Sequence, residues 1–350
     1  MGGNSEVVLN TKVGINTNKT FLGVMGILFI LGFGFWIKQI TCGFSGYSAQ
    51  YAWGLYIAAF FTAVAGGAGA MILASITTVV KVMDEKKSRQ FYTAAIAMFV
   101  MAGFFILADL GSPLNIFKLI FTTNASAPMV FDFWLLMICV VICLLMVFLK
   151  GNVKVLSLIG LACAIALLMV ESWLVASSNV QQLWGITMGA GTAFIQVAIM
   201  AFALLLLIGQ EDKYVKYGLM ITLIMFLVVS LTDLVSGISD IGHLGLQWST
   251  VSGSGLFWIG VIFGVVAPLF MLFKIKNIGS FHIIILSVLS MLGVLFTKLS
   301  YVWSSQAIPA IDTGILTKPS LHLEEVIIVI GFTALGSIIY TGLNALKGGA

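Results

Sequence analysis

Charge is what this sequence has least of. Asp, Glu, Lys and Arg make up 9% of its 350 residues, against roughly 25% in a soluble protein. So few charges cannot cover a water-facing surface, and a soluble globular class is excluded. Histidine is scarcer still, with three residues: His243, His282 and His322. Only His282 falls in an apolar run. A haem in the membrane needs two facing axial ligands, and a di-haem protein four, so a haem-bearing class is excluded. Four cysteines are present, Cys42, Cys139, Cys143 and Cys163, with no Cys-x-x-Cys pair. A structural zinc site or an iron–sulfur cluster needs more ligands than these, and no disulfide framework is legible. Cys139 and Cys143 share one helix face within an apolar run, where thiols behave as small hydrophobes. Phosphate-binding glycine loops, nucleophile–base pairs and metal-ligand spacings are missing as well. The net charge of +4 follows the membrane and implies no nucleic-acid partner.

What is abundant is apolar. Hydrophobic residues make up 60% of the chain and the mean hydropathy is +1.13. Ten runs reach the roughly 20 residues that cross a bilayer as a helix. They lie at about 21–40, 52–80, 91–110, 130–149, 153–176, 185–209, 215–237, 254–275, 279–301 and 325–346. The expected fold is all-α, a polytopic membrane protein. The first 20 residues are polar and the first run leads into more runs, so no cleavable leader is expected. Thirteen of the 17 Lys and Arg residues fall on one side: Lys12, Lys19, Lys81, Lys86, Lys87, Arg89, Lys150, Lys154, Lys213, Lys216, Lys274, Lys276 and Lys347. Lys38, Lys118, Lys298 and Lys318 fall on the other. The positive-inside rule makes the first side cytoplasmic, with both termini there. The outer loops are long and rich in Gly, Ser and Trp, so the functional surface is expected outside. Pro268 sits within the eighth run and should kink it.

The chain repeats itself. Trp53-Gly54 and Trp184-Gly185 open runs two and six, and Asp109-Leu110-Gly111-Ser112 and Asp233-Leu234-Val235-Ser236 end runs three and seven. Phe133-Trp134 and Phe257-Trp258 open runs four and eight, each Trp 25 residues after its Asp. Tryptophan also marks membrane interfaces in general, but three landmarks with one equal spacing point to duplication. The expected division is a tail and first helix (1–51), a first four-helix bundle (52–176), a second (177–303), and an outer loop with the last helix (304–350). Gly66-Gly67-Ala68-Gly69-Ala70 in run two serves either close helix packing or room for a ligand.

The stretch from Ala108 to Trp134 organises the first half. It carries Pro113, Pro128, Asp109 and Asp132 at the membrane edge, where charge is costly. One reading makes the prolines helix boundaries and the acids caps; the other makes the stretch the roof of a quinone site. Asp109 lies 20 residues after Arg89, Asp132 lies 18 before Lys150, and Glu171 lies 17 after Lys154. At about 1.5 Å per residue all three rise roughly 25–30 Å from the inner surface, which predicts a ring of carboxylates at the outer edge. Such groups can exchange protons with a quinol. Trp53, Tyr56, Trp134 and Trp173 lie near the same surface and can wall a flat ring. At the same height the second half has Asp233 and Lys298, which can pair with each other. His243 is either a proton relay beside Asp240 or a loop and docking residue.

These residues resemble a known family. The Asp109-Leu110-Gly111-Ser112-Pro113 turn, the Ser126-Ala127-Pro128-Met129 segment before Asp132-Phe133-Trp134, and the small-residue run two are similar to the NrfD/polysulfide reductase C family of membrane anchors, in its ten-helix branch. The resemblance spans most of the chain, with specific motifs between Trp53 and Trp173. It implies a subunit of the bacterial inner membrane without haem or iron–sulfur cluster of its own. Such a subunit exchanges electrons between membrane quinone (menaquinone or ubiquinone) and a ferredoxin-like iron–sulfur subunit on its outer face. Beyond that subunit stands a molybdopterin catalytic subunit or a multihaem cytochrome. The family's acidic residue at the quinone carries over onto Asp109, with Ser112 and Pro113 beside it. Two departures stand out: Ser112 replaces a frequent arginine, and runs two to five hold no histidine. Proton acceptance then falls on Asp109, Asp132 and Glu171. A secondary transporter or proton channel with parallel repeats, or a purely structural anchor, are the alternatives; carboxylates at the outer edge rather than the midplane favour the anchor.

Overall fold

The computed structural model describes residues 19–43, 51–81, 84–122, 124, 126–149, 153–177, 182–209, 213–274, 279–308 and 320–348. Lys12, Lys150, Lys276 and Lys318 of the charge bias, most of the polar tail, and residues 309–319 of the last outer loop lie outside the described residues.

Among the described residues, ten helices are long and apolar enough to cross a membrane. They are α1 (Lys19–Cys42), α2 (Leu55–Val80), α3 (Glu85–Asp109), α4 (Pro128–Phe148), α5 (Lys154–Ala176), α6 (Ala190–Leu207), α7 (Lys213–Ile238), α8 (Gly255–Lys274), α9 (Ser280–Gln306) and α10 (Leu323–Gly348). Each matches an apolar run, because a backbone in hydrocarbon must satisfy its own hydrogen bonds. Two boundaries differ from the expectation. Trp184 does not open α6: it sits on a separate short helix, Gln182–Thr187, ahead of it. The Gly-rich stretch after α7 is not a loop throughout, since His243–Ser252 forms a helix.

α2 is the hub. Buried residues make up 89% of its most apolar stretch, against 11% for α1. It packs on α3, α5, α6, α9 and α10. Its small residues are used for that closeness. A Cβ on Gly67 would meet the Phe99 ring of α3 at 2.6 Å, and one on Gly69 would meet the Val197 carbonyl of α6 at 2.7 Å. Of the two readings of this stretch, close packing holds at Gly67 and Gly69. α3 also packs on α4, and α4 on α5; α6 packs on α7 and α9, and α8 on α9. α1 and α10 pack on each other, and α10 lies against α3.

The duplicated landmarks repeat in space. Phe133 and Trp134 meet edge-on at 5.5 Å and 77°, and Phe257 and Trp258 at 5.2 Å and 77°. Trp53 and Trp184 stack face to face, 4.3 Å apart and within 6° of parallel. The Gln306 side chain of α9 ties this stack down, accepting from the Trp53 N–H at 3.0 Å and donating to its carbonyl at 2.8 Å.

α8 is interrupted as Pro268 requires, by a π-helical turn at Ile262–Val266. Proline has no N–H to give the carbonyl four residues back, and its ring crowds that carbonyl. The widened turn brings Gly264 against Gly293 of α9, backbone to backbone, leaving no room for a Cβ on either.

Candidate functional site

α3 ends at Asp109, and Leu110 caps it through its backbone N–H to the Ile106 carbonyl. Gly111 follows at φ +64°, a left-handed conformation that side chains disfavour, and turns the chain along the surface. Pro113 then starts a 3-10 turn to Ile116, and a short helix runs from Phe117 to Ile120. Leu114, Phe117, Ile120 and Phe121 stand exposed on this connection. Pro128 starts α4 in its first turn, so both prolines begin helices. The acids do not cap them: the N-caps are Ser112 and Ala127. Asp109 instead closes α3 at its C-terminal end, where the helix dipole disfavours a negative charge. Asp109 interacts with its surroundings there.

Two acidic groupings occur at this level among the described residues. The first joins α2, α3 and α10. Tyr56, fully buried, feels the charges of Glu325 and Asp109, and Glu325 feels that of Asp109. The Tyr56 hydroxyl donates to the Gln39 Oε1 of α1 at 2.7 Å. Just outside, Lys38 pairs with Glu324 at 2.7 Å. The expectation from sequence omitted Glu325 and Gln39. The same depth ruler would have found Glu325, which stands 22 residues before Lys347 at the outer start of the last run. Gln39 carries no charge, and nothing in the sequence sets it apart from other glutamines.

The second grouping joins α4, α5 and α9. Asp132 and Glu171 are each 6% exposed and Lys298 is 3% exposed. Glu171 interacts with the charges of both Asp132 and Lys298. One oxygen of each acid, Asp132 Oδ1 and Glu171 Oε1, is buried with no hydrogen-bond partner among the described residues. The Lys298 ammonium lies 5.6 Å from the centre of the Phe61 ring, and Phe61 lies 6.2 Å from Trp53. The sequence alone suggested that Lys298 pairs with Asp233 of its own half; it faces Glu171, an acid of the first half, instead. Asp233 is felt by Tyr301.

The remaining candidates are more scattered. Trp134 and Trp173 are 45% and 48% exposed and point away from the bundle, Trp173 beside Phe131. Trp53 is half-buried in its stack with Trp184. Ser112 is exposed and Pro113 half-buried in the surface turn. Asp240 is exposed, and its Oδ1 accepts from the Gly242 N–H at 2.7 Å, which closes the turn before His243. His243 begins its helix with a buried Nε2 that has no partner among the described residues. No group of three His, Cys, Asp or Glu able to hold a metal ion occurs among the described residues.

A family model described as "Polysulphide reductase, NrfD" matches residues 43–310. A protein of Halobacterium salinarum, provisionally named as a membrane subunit of dimethyl sulfoxide reductase, is 30% identical over 126 residues. That match covers 34% of this chain and only 28% of the relative's own length.

Proposed function

The chain belongs to the NrfD, polysulphide reductase, family, and from that premise we propose that it is the membrane anchor of a respiratory reductase complex. In this reading it exchanges electrons between quinone in the bilayer and an iron–sulfur subunit docked on its outer face. A catalytic subunit of the complex completes the chain of transfer. The membrane role named for the Halobacterium relative supports the anchor reading.

The observation that carries the reading is that Tyr56, Asp109 and Glu325 stand at the outer ends of α2, α3 and α10, near enough for their charges to interact. Oxidation of a quinol releases two protons with its two electrons, so acceptors are needed near its hydroxyls. Two carboxylates at one site suit that task. Tyr56, held by Gln39, orients the head group through its hydroxyl. The Gly111 turn and the segment 113–120 leave the outer end of α3 beside Asp109 and border the site. Electrons leave outward, towards the partner.

Asp109→Asn tests this. It keeps size and hydrogen bonding and removes the titratable oxygen. Assembly should survive, quinol-linked turnover should fall about 10²-fold, the scale of a lost acid–base group, and turnover with a donor that bypasses the membrane should persist. Parental quinol turnover in an assembled Asp109→Asn complex would overturn the role of Asp109.

The second grouping favours one addition, proton transfer through the protein. Asp132 and Glu171 each bury a carboxylate oxygen without a partner among the described residues, and Glu171 interacts with Lys298; buried carboxylates of this kind in a membrane mark proton pathways. In sealed vesicles Glu171→Gln should slow proton movement more than electron transfer. Equal slowing of both would make the group a plain part of the redox site.

A further inference from the structure

A cavity of about 340 Å³ lies between α2, α3, α6, α9 and α10. Its walls are nearly all apolar, with Met98, Met101, Met200 and Met291 contributed by three helices. Its outer end is lined by Ala59, Phe105 and Val329. Each of these lies one helical turn inward from Tyr56, Asp109 and Glu325 respectively, so the cavity begins directly beneath the polar grouping. Along α10 it runs from Val329 to Tyr340, about 17 Å at 1.5 Å per residue. It opens sideways. α9 and α10 both line it without packing substantially on each other among the described residues. At that gap Val288 and Leu292 are 40% and 38% exposed and Thr333 is exposed. The gap faces the bilayer.

Protein interiors are close-packed, and a dry apolar cavity of about 150 Å³ already takes up small apolar molecules. A space this large and apolar, open to lipid, holds hydrocarbon. Its lining carries only the uncharged Thr62, Thr333, Ser337 and Tyr340 as hydrogen-bonding side chains, and the ionisable groups stand just beyond its outer end, which is the outline of an amphiphile. Charge at that end selects the kind. Asp109 and Glu325 repel the phosphodiester of a phospholipid, and the nearby Lys38 is already paired with Glu324. A neutral head group that both donates and accepts hydrogen bonds fits. Methionine thioethers are flexible and adapt to a branched chain.

We infer that this cavity receives the isoprenoid chain of the quinone whose head group stands at Tyr56, Asp109 and Glu325, with the gap between α9 and α10 as its mouth. The inference rests on the quinone reading above and adds the chain's path, with α10 as a wall of the site.

The test uses the whole complex purified from its membranes, with its quinone and phospholipid content measured by mass spectrometry. Thr333→Trp obstructs the mouth from the lipid side, where no packing is lost. Ala63→Leu fills the cavity from within and serves if the first variant fails to assemble. Retained long-chain quinone should fall about tenfold, equivalent to roughly 1.4 kcal/mol of binding, while turnover with a quinol bearing a short chain stays at the parental rate. Parental quinone content in both variants overturns the inference, as does equal loss of long-chain and short-chain turnover. Phospholipid retained in place of quinone, in amounts the variants reduce, also overturns it. If the parental complex neither holds quinone nor oxidises either quinol, the functional reading itself has failed and takes this one with it.

Discussion

A buried lysine that interacts with a buried glutamate is a strong constraint in this protein. Lys298, Glu171 and Asp132 come from three helices, and none is more than 6% exposed. In apolar surroundings a charge on Glu171 depends on the Lys298 cation for compensation. Lys298→Met should therefore lower stability by about 3–5 kcal/mol, the cost of stranding a buried charge. Lys298→Met combined with Glu171→Gln should recover at least ~1 kcal/mol of that loss, the coupling expected of residues in one network. Thermal unfolding of the four proteins in detergent reads this directly, and additive losses would show that Lys298 and Glu171 are not partners. Tyr56 is the corresponding anchor of the other grouping. Its hydroxyl reaches Gln39 of α1 at 2.7 Å, so Gln39→Leu should weaken quinone retention without touching a carboxylate. Unchanged retention would make that bond a packing detail.

Helices cross closely where both surfaces are bare. The π-helical turn before Pro268 sets Gly264 against Gly293, with the two backbones in direct contact. A side chain at either position must push α8 from α9, and overpacking of this kind costs about 1–3 kcal/mol or more. Gly293→Leu should thus lower the unfolding temperature clearly. Gly23 on α1 has no atom within 4 Å of where a Cβ would stand, so Gly23→Leu is the matched control and should leave it unchanged. Equal responses would mean that the α8–α9 crossing adapts to a side chain. The hub helix α2 makes the same use of Gly67 and Gly69, which explains how five helices crowd around it.

The molecule as a whole is a multi-pass membrane protein with ten candidate spanning helices among its described residues, and an even number of crossings is expected to bring both ends to one side. With Lys and Arg gathered on that side, we expect both termini in the cytoplasm: a reporter fused after Ala350 should work only in its cytoplasmic form, and activity of an export-dependent reporter there would reverse the topology. The partner should then dock outside. Crosslinkers placed in Gly237 to Gly253, and in the last outer loop between α9 and α10, should capture an iron–sulfur protein. Capture only from the Met83 to Tyr92 side would move the docking face inward. Absence of any iron–sulfur or catalytic partner on copurification would favour a transporter. The exposed Leu114, Phe117 and Phe121 lie on the same outer surface.

Sequence by itself determined the number, class and approximate limits of the spanning helices. Every span must be apolar over a bilayer's thickness, and that requirement is written in consecutive residues. It also suggested a duplication, through Trp53 and Trp184 and the paired Phe-Trp landmarks, and a shared outer level for Asp109, Asp132 and Glu171, because depth is counted along a helix. Only the tertiary structure decided which acids meet. Depth is one coordinate, and the rotation and neighbourhood of each helix depend on packing against others far away in sequence. So the expected ring resolves into two groupings. Glu325 arrives from the far end of the chain to join Asp109 and Tyr56. Lys298 crosses from the second half to Glu171 rather than pairing with Asp233. The cavity beneath Tyr56 belongs to no single helix. Five of them enclose it, and no run of residues records such a space.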